Sequence, residues 1–197
     1  DSYEKYVINT FSNLFLTILY SVILLFGIFA IIFTIDKLFD ILIKGKYYYY
    51  VFLIVSLAFG TAFFLSKLPK ASERFEKYNY SNSLRILLVY IVIPLITIYT
   101  FILYLYFIKV LVQRQWPKGL VSHLVLWYSA ISTGVVFLIT PISKESRIGK
   151  AFKIYFPKLL LPILLMMFVS IGQRIRQYGI TENRYYIVAL GFWVTGV

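Results

Sequence analysis

Residues 156–186 read FPKLLLPILLMMFVSIGQRIRQYGITENRYY, two apolar runs that meet across a very short polar turn. Pro157 suits the first turn of a helix, where its missing N–H has no partner to lose, and the run from Leu159 to Gly172 comes directly after it. Polar Gln173 to Tyr178 extend that helix. Gly179 falls where a left-handed C-terminal cap is wanted, Ile180 can fold back on the last turn, and Thr181 is a good N-cap for the next helix. The stretch predicts a tight helical hairpin. Glu182 then faces the positive end of the second helix macrodipole, while Arg174 and Arg176 sit near the negative end of the first.

The uncharged part between Lys158 and Arg174 is about 15 residues, or ~22 Å of helix, against a hydrocarbon layer of roughly 30 Å. Spanning therefore requires help: snorkelling by Lys158 and Arg174, local bilayer thinning, or a polar pocket that receives the arginines.

Composition makes lipid the solvent. A hydrophobic share of 60%, a mean hydropathy of +0.81 and 14% charged residues lie far outside the range of a soluble chain of 197 residues. The 18 Tyr and 18 Phe fit a protein with many membrane-interface contacts and aromatic packing. With no cysteine there is no disulfide, thiolate nucleophile, Cys-ligated zinc or iron–sulfur site. The net charge of +12 comes from basic residues in short loops between apolar runs, which suits anionic lipid headgroups and argues against nucleic acid. The first residue is Asp1 and the last apolar run, Tyr185 to Val197, is short, so the chain reads as an excerpt of a longer protein.

Taken in order, Val7 to Ile35 is an uncharged first span whose start is polar at Asn9, Thr10, Ser12 and Asn13. From Ile35 to Lys46, apolar Ile35, Leu38, Phe39, Leu42 and Ile43 oppose Lys37, Asp40 and Lys44, the pattern of an interfacial helix ended by Gly45. A second span, Tyr47 to Leu65, opens on four tyrosines at headgroup level and contains Gly60. After a polar connection, Ser66 to Ser83, comes a third span, Leu84 to Ile108. There Pro94 frees the carbonyl of Tyr90 and predicts a kink.

Trp116, Pro117, Lys118 and Gly119 punctuate the turn into a fourth span, Leu120 to Thr140, which stops at Pro141 and carries small residues Ser129, Ser132, Thr133 and Gly134. Between Ser143 and Phe156, apolar Ile148, Ala151, Phe152 and Tyr155 recur at helical spacing among basic residues, a second interfacial helix. The opening hairpin supplies spans five and six. With the sides alternating, Lys5, the basic residues from Lys67 to Arg85 and those from Lys144 to Lys158 share one side, slightly more than half of the 20, which leans toward a cytoplasmic N-terminal end.

Three stretches carry a family likeness: Phe59-Gly60-Thr61-Ala62-Phe63-Phe64, Trp116-Pro117-Lys118-Gly119-Leu120-Val121, and Tyr178-Gly179-Ile180-Thr181-Glu182-Asn183-Arg184-Tyr185 with Trp193 beyond it. Over Leu57 to Val197 the chain resembles the bacterial multi-pass family called domain of unknown function forty-one fifty-three. The resemblance implies an inner-membrane protein with further spans before this region, and it brings no catalytic residue with it.

Chemistry-bearing residues are sparse. No ionisable residue lies deep within the six apolar runs, where ion-coupled carriers keep theirs. His123, the sole histidine, reads as interfacial rather than as a switch or ligand. Asp36 and Asp40, four apart, read as ordinary interfacial charges beside Lys37 and Lys44 rather than as a cation site. The sharper expectation is a phosphate or carboxylate of a lipid or solute held by Arg174, Arg176 and Arg184 with the amides at Thr181, set against capping and snorkelling alone.

The sequence therefore predicts an all-α, polytopic transmembrane bundle of about six spans, a single domain over residues 1–197 with interfacial amphipathic helices. Its expected role is a non-enzymatic scaffold or lipid-interacting module of the bacterial inner membrane, with a small-solute transporter or channel as the alternative. Anionic lipids, and a protein partner or second copy, are the expected partners; no metal, cofactor or nucleic acid is expected.

Overall fold

The computed structural model describes residues 2–67, 80–113, 120–141, 146–179 and 182–196. Among these every regular element is helical. Helix α1 is Ser2–Phe39, α2 is Lys46–Leu53, α3 is Thr61–Ser66, α4 is Tyr80–Ile86, α5 is Ile93–Gln113, α6 is Leu120–Ile139, α7 is Arg147–Tyr178 and α8 is Glu182–Gly196. π-Helical segments Ile54–Gly60 and Leu87–Val92 join α2 to α3 and α4 to α5 without a break. Five helical stretches are long and apolar enough to cross a membrane: Thr10–Phe39, Lys46–Ser66, Ser83–Gln113, Val121–Ile139 and Arg147–Gln173. Helix α8, where the sequence places a sixth span, is helical but has 15 residues and is not among these five. The molecule is an all-α multi-pass bundle.

The two π-helical segments have identifiable causes. Pro94 has no N–H for the Tyr90 carbonyl and its ring presses on that turn, so the disturbance expected there takes the form of the widened turn Leu87–Val92. In the other, Ser56 Oγ donates to the Phe52 carbonyl at 2.6 Å and Thr61 Oγ1 donates to that of Leu57, bonds that draw helical carbonyls away from the ladder.

The segment 35–46 does not form an interfacial helix of its own. Helix α1 runs through Phe39 and ends at Asp40, whose φ of 54° lies in the left-handed region that Asp enters more readily than most residues. Asp36 Oδ1 then accepts the Ile43 amide at 3.1 Å, replacing a helical bond with a side-chain one. Of the apolar face expected there, Leu38 is buried and Leu42 is 95% exposed.

The chain divides into two compact units, Asp1–Asp36 with Ile41–Leu95, and Lys37–Asp40 with Ile96–Val197. In the first, Tyr20, Leu87 and Ile91 form a core against which Leu16, Phe59 and Phe63 pack. The Tyr20 hydroxyl donates to the Ser83 carbonyl at 2.5 Å and its ring lies 5.1 Å from that of Phe63. Gly27 permits close approach, since a Cβ there would run into the Leu95 side chain. Asn13 is buried, and its Nδ2 donates at 2.9 Å to the carbonyl of Lys67, just past the end of α3. The polar start of the first span is thus partly a cap for the second.

In the second unit α6 packs on α7 and α8, and α7 on α8. Helix α7 begins at Arg147, with Ser146 Oγ as N-cap accepting the Gly149 amide at 3.3 Å, so Pro157 and Pro162 lie inside it rather than at its start. The basic segment read as a second interfacial helix is the opening of α7. Packing explains the continuity. Phe152 and Phe156 are buried and stack at 4.5 Å across the turn that Pro157 weakens, and burial at Phe156, Leu160, Ile163, Leu164, Met167 and Ile171 carries the same face onward. Of the apolar positions named for that segment only Phe152 is buried, while Ile148 and Tyr155 are exposed.

Candidate functional site

Two polar arrangements stand out in the second unit, apart from the Arg174, Arg176, Thr181 and Arg184 set that the sequence singled out for anion binding. The first is the end of α1. The last carbonyls of a helix lack backbone donors, and here Lys109 Nζ donates to the Leu38 carbonyl at 3.1 Å. The same ammonium stands 5.4 Å from the centre of the Phe39 ring and 3.9 Å from the Asp40 carboxylate. Phe39 in turn meets Tyr106 edge-on at 6.1 Å. A cation is thus held at the negative end of the helix macrodipole, with its stem along α5. The sequence pattern puts the end of that span at Ile108; the continuing apolar Val110, Leu111 and Val112 are the signal that places Lys109 within the helix.

The second is a seam of hydroxyls between α5, α6 and α7. Thr100 Oγ1 donates to the Ile96 carbonyl at 2.7 Å, which uses its one proton, so the Tyr128 hydroxyl donates to Thr100. Tyr128 is buried, stacks on Tyr99 at 4.9 Å and meets Phe156 at 6.3 Å. Ser129 donates to the Val125 carbonyl at 2.7 Å and Thr133 to that of Ser129 at 2.8 Å. Tyr104 reaches the Leu159 carbonyl of α7 at 2.7 Å, in the stretch between its two prolines. In these bonds the hydroxyls end on a carbonyl or on one another, with no carboxylate or imidazole to activate them. Bonds of this kind hold membrane helices together.

The small-residue face expected on α6 is there in part. Ser129 and Ser132 are fully buried, whereas Gly134 is exposed with nothing near its Cα hydrogen side.

At the hairpin, Gly179 has a positive φ of 75°, as a cap glycine should, but its ψ of 178° is extended rather than left-handed helical, and its N–H closes the helix onto the Ile175 carbonyl at 2.9 Å. Arg176 is exposed in the last turn of α7 and Glu182 is exposed in the first turn of α8, the charge arrangement read from the sequence. Arg174 lies on α7 and Arg184 on α8; Ile180 and Thr181 lie outside the described residues. His123 is exposed near the start of α6. Among the described residues no three His, Cys, Asp or Glu side chains come together as a metal site would require.

Comparison with known proteins gives a family and a distant relative. The family described as domain of unknown function DUF4153 matches residues 1–197, extending the likeness seen from Leu57 onward to the whole chain. An uncharacterized protein of Pasteurella multocida (strain Pm70), PM1469, is 29% identical over 196 residues, covering 96% of this chain and 33% of that protein. The chain therefore spans about a third of the length of the curated relative it matches. No solved structure matches it.

Proposed function

We propose, for a chain that belongs to the DUF4153 family along its whole length, the role of a non-enzymatic module of the bacterial inner membrane, a scaffold or lipid-interacting domain. The observation that supports this is the uneven covering of the spans. In the most apolar stretch of Lys46–Ser66 only 6% is buried within the chain, and in Thr10–Phe39 only 11%, against 50% in Ser83–Gln113. The second span packs one side, with Val55, Phe59 and Phe63, within its own unit and offers lipid or another membrane protein the other, through Phe52, Ile54, Leu57 and Leu65, opened by exposed Tyr47, Tyr49 and Tyr50 at one end. Lys109 and Tyr128, by contrast, place polar groups at a helix cap and a helix pair.

The basic turn between α7 and α8 is the proposed contact for anionic headgroups, through Arg174, Arg176 and Arg184 with the amides at Thr181. Native mass spectrometry of the full-length protein tests this part. Retention of anionic lipid falls several-fold in the triple Arg→Ala variant; unchanged retention would remove the headgroup site from the reading.

A transporter is the second reading, favoured by the two π-helical segments and by Pro157 and Pro162 inside α7, since interrupted helices often line solute paths. Water accessibility at mid-span separates the two. Cysteines at buried Leu103 and Leu164 stay unreactive toward small aqueous thiol reagents in a scaffold and react in a transporter.

A further inference from the structure

We propose that a crevice between α5, α6 and α7 is a binding site for one hydroxyl oxygen, held between Ser122 and Ser170. The crevice has a volume of about 20 Å³ and is walled by Leu103, Val125 and Ile163, with both methionines of the chain, Met166 and Met167, as its most adaptable lining. A single water-sized oxygen needs roughly 10 to 15 Å³ of such space and two or more polar partners.

Ser122 from α6 and Ser170 from α7 line this one crevice, and each is only 3% exposed. Neither hydroxyl has a hydrogen-bond partner among the described residues. Thr17, Thr100 and Ser129, also buried, each return their proton to the carbonyl four residues back, whereas Ser21 and Ser132 share the unpartnered state of Ser122 and Ser170. The equivalent carbonyl for Ser170 is that of Met166, inside α7, and the bond is not made. A buried hydroxyl that forgoes its local acceptor needs another partner. Two such hydroxyls on neighbouring helices, lining a space of one-oxygen size, are matched by an oxygen that donates to one and accepts from the other, as a hydroxyl does.

The oxygen has two sources of the same chemistry, a water or the terminal hydroxyl of an amphiphile entering from lipid. Phe107 and Met166, half-buried, are the lining residues through which an amphiphile would come.

The test uses the full-length protein in nanodiscs, with Ser122→Ala, Ser170→Ala and the double variant, read by thermal unfolding and by photolabelling with a diazirine-bearing octanol. A shared oxygen couples the two positions, so the double variant shifts Tm by clearly less than the summed single shifts. If the oxygen is an alkanol's, adducts map to Phe107, Met166 or Met167 and fall at least about five-fold in the double variant, in line with loss of a hydroxyl contact. If it is water, coupling persists with no adduct there. Additive Tm shifts overturn the site whatever the label does. Should a variant not fold, a high-resolution map of the unmodified protein decides: ordered density within hydrogen-bond reach of both Oγ atoms supports the site, and a featureless crevice overturns it.

Discussion

The ammonium of Lys109 lies 3.1 Å from the carbonyl oxygen of Leu38, 71 residues away in the sequence, and so caps the end of α1 from α5. A charged donor is matched to a carbonyl that the helix itself cannot satisfy, on a side chain that is only 26% exposed. Lys109→Ala should therefore destabilise the protein by about 1–3 kcal/mol, the range for a charged hydrogen bond whose acceptor is left behind. Thermal unfolding in detergent checks it. Asp40→Asn, which removes a 79% exposed charge 3.9 Å from the same ammonium, should cost only ~0–1 kcal/mol.

Asp40 also carries the backbone strain of the α1 terminus, at φ 54°. Asp40→Gly should leave stability unchanged or raise it slightly, because glycine enters that region without a Cβ penalty, while Asp40→Val should lower it by about 1–2 kcal/mol. Equal Tm values for the two variants would show that the left-handed turn is not what ends the helix.

The bond between Tyr128 and Thr100 ties α6 to α5 within the apolar bundle. A double-mutant cycle of Tyr128→Phe and Thr100→Val should give a coupling of about 0.6 kcal/mol and no more than ~1.7, the range for hydroxyl bonds between membrane helices. A cycle made with Tyr128→Phe and exposed Thr140→Val serves as the control and should show no coupling.

Two helical glycines should respond with opposite signs. A Cβ at Gly191 would lie 2.8 Å from Met167 Cε and 2.9 Å from Phe168 Cζ, where α8 crosses α7, and the Phe168 ring is already packed on Phe192 at 5.0 Å. Gly191→Ala should cost about 1–3 kcal/mol by overpacking. At Gly134 a Cβ meets nothing within 4 Å, so Gly134→Ala should stabilise α6 by ~0.4–1 kcal/mol. The comparison is of Tm under one set of conditions.

The spans were legible because each is a long uncharged run, and the fourth, bounded by Gly119 and Pro141, was legible almost to the residue. Boundaries failed where tertiary contacts overrode local punctuation. Pro157 looks like a helix start, yet Phe152 and Phe156 stack across it and carry α7 through. Ile35 to Lys46 has helical periodicity, yet the Asp36 carboxylate takes the Ile43 amide and Asp40 turns out of the helix. The hydroxyl seam was legible only as the small-residue face of the fourth span, Ser129, Ser132 and Thr133, because serine, threonine and tyrosine in a span look alike whether they face lipid, their own carbonyl or another helix. Only packing distinguishes Ser132, fully buried, from Ser56, whose hydroxyl bond is exposed.

In a multi-pass bundle of this kind, lipid covers the apolar side chains that the fold leaves exposed. The chain has no cysteine, so single cysteines report without background. Leu57→Cys, Phe101→Cys and Phe137→Cys place thiols at positions 63%, 64% and 77% exposed within spans, and Leu42→Cys places one at a position 95% exposed between spans. In native membranes a charged maleimide should label only the last rapidly and leave the other three at least about ten-fold slower, as expected for thiols within a hydrocarbon layer of roughly 30 Å. Comparable labelling of all four would mean that water, not lipid, surrounds these helices.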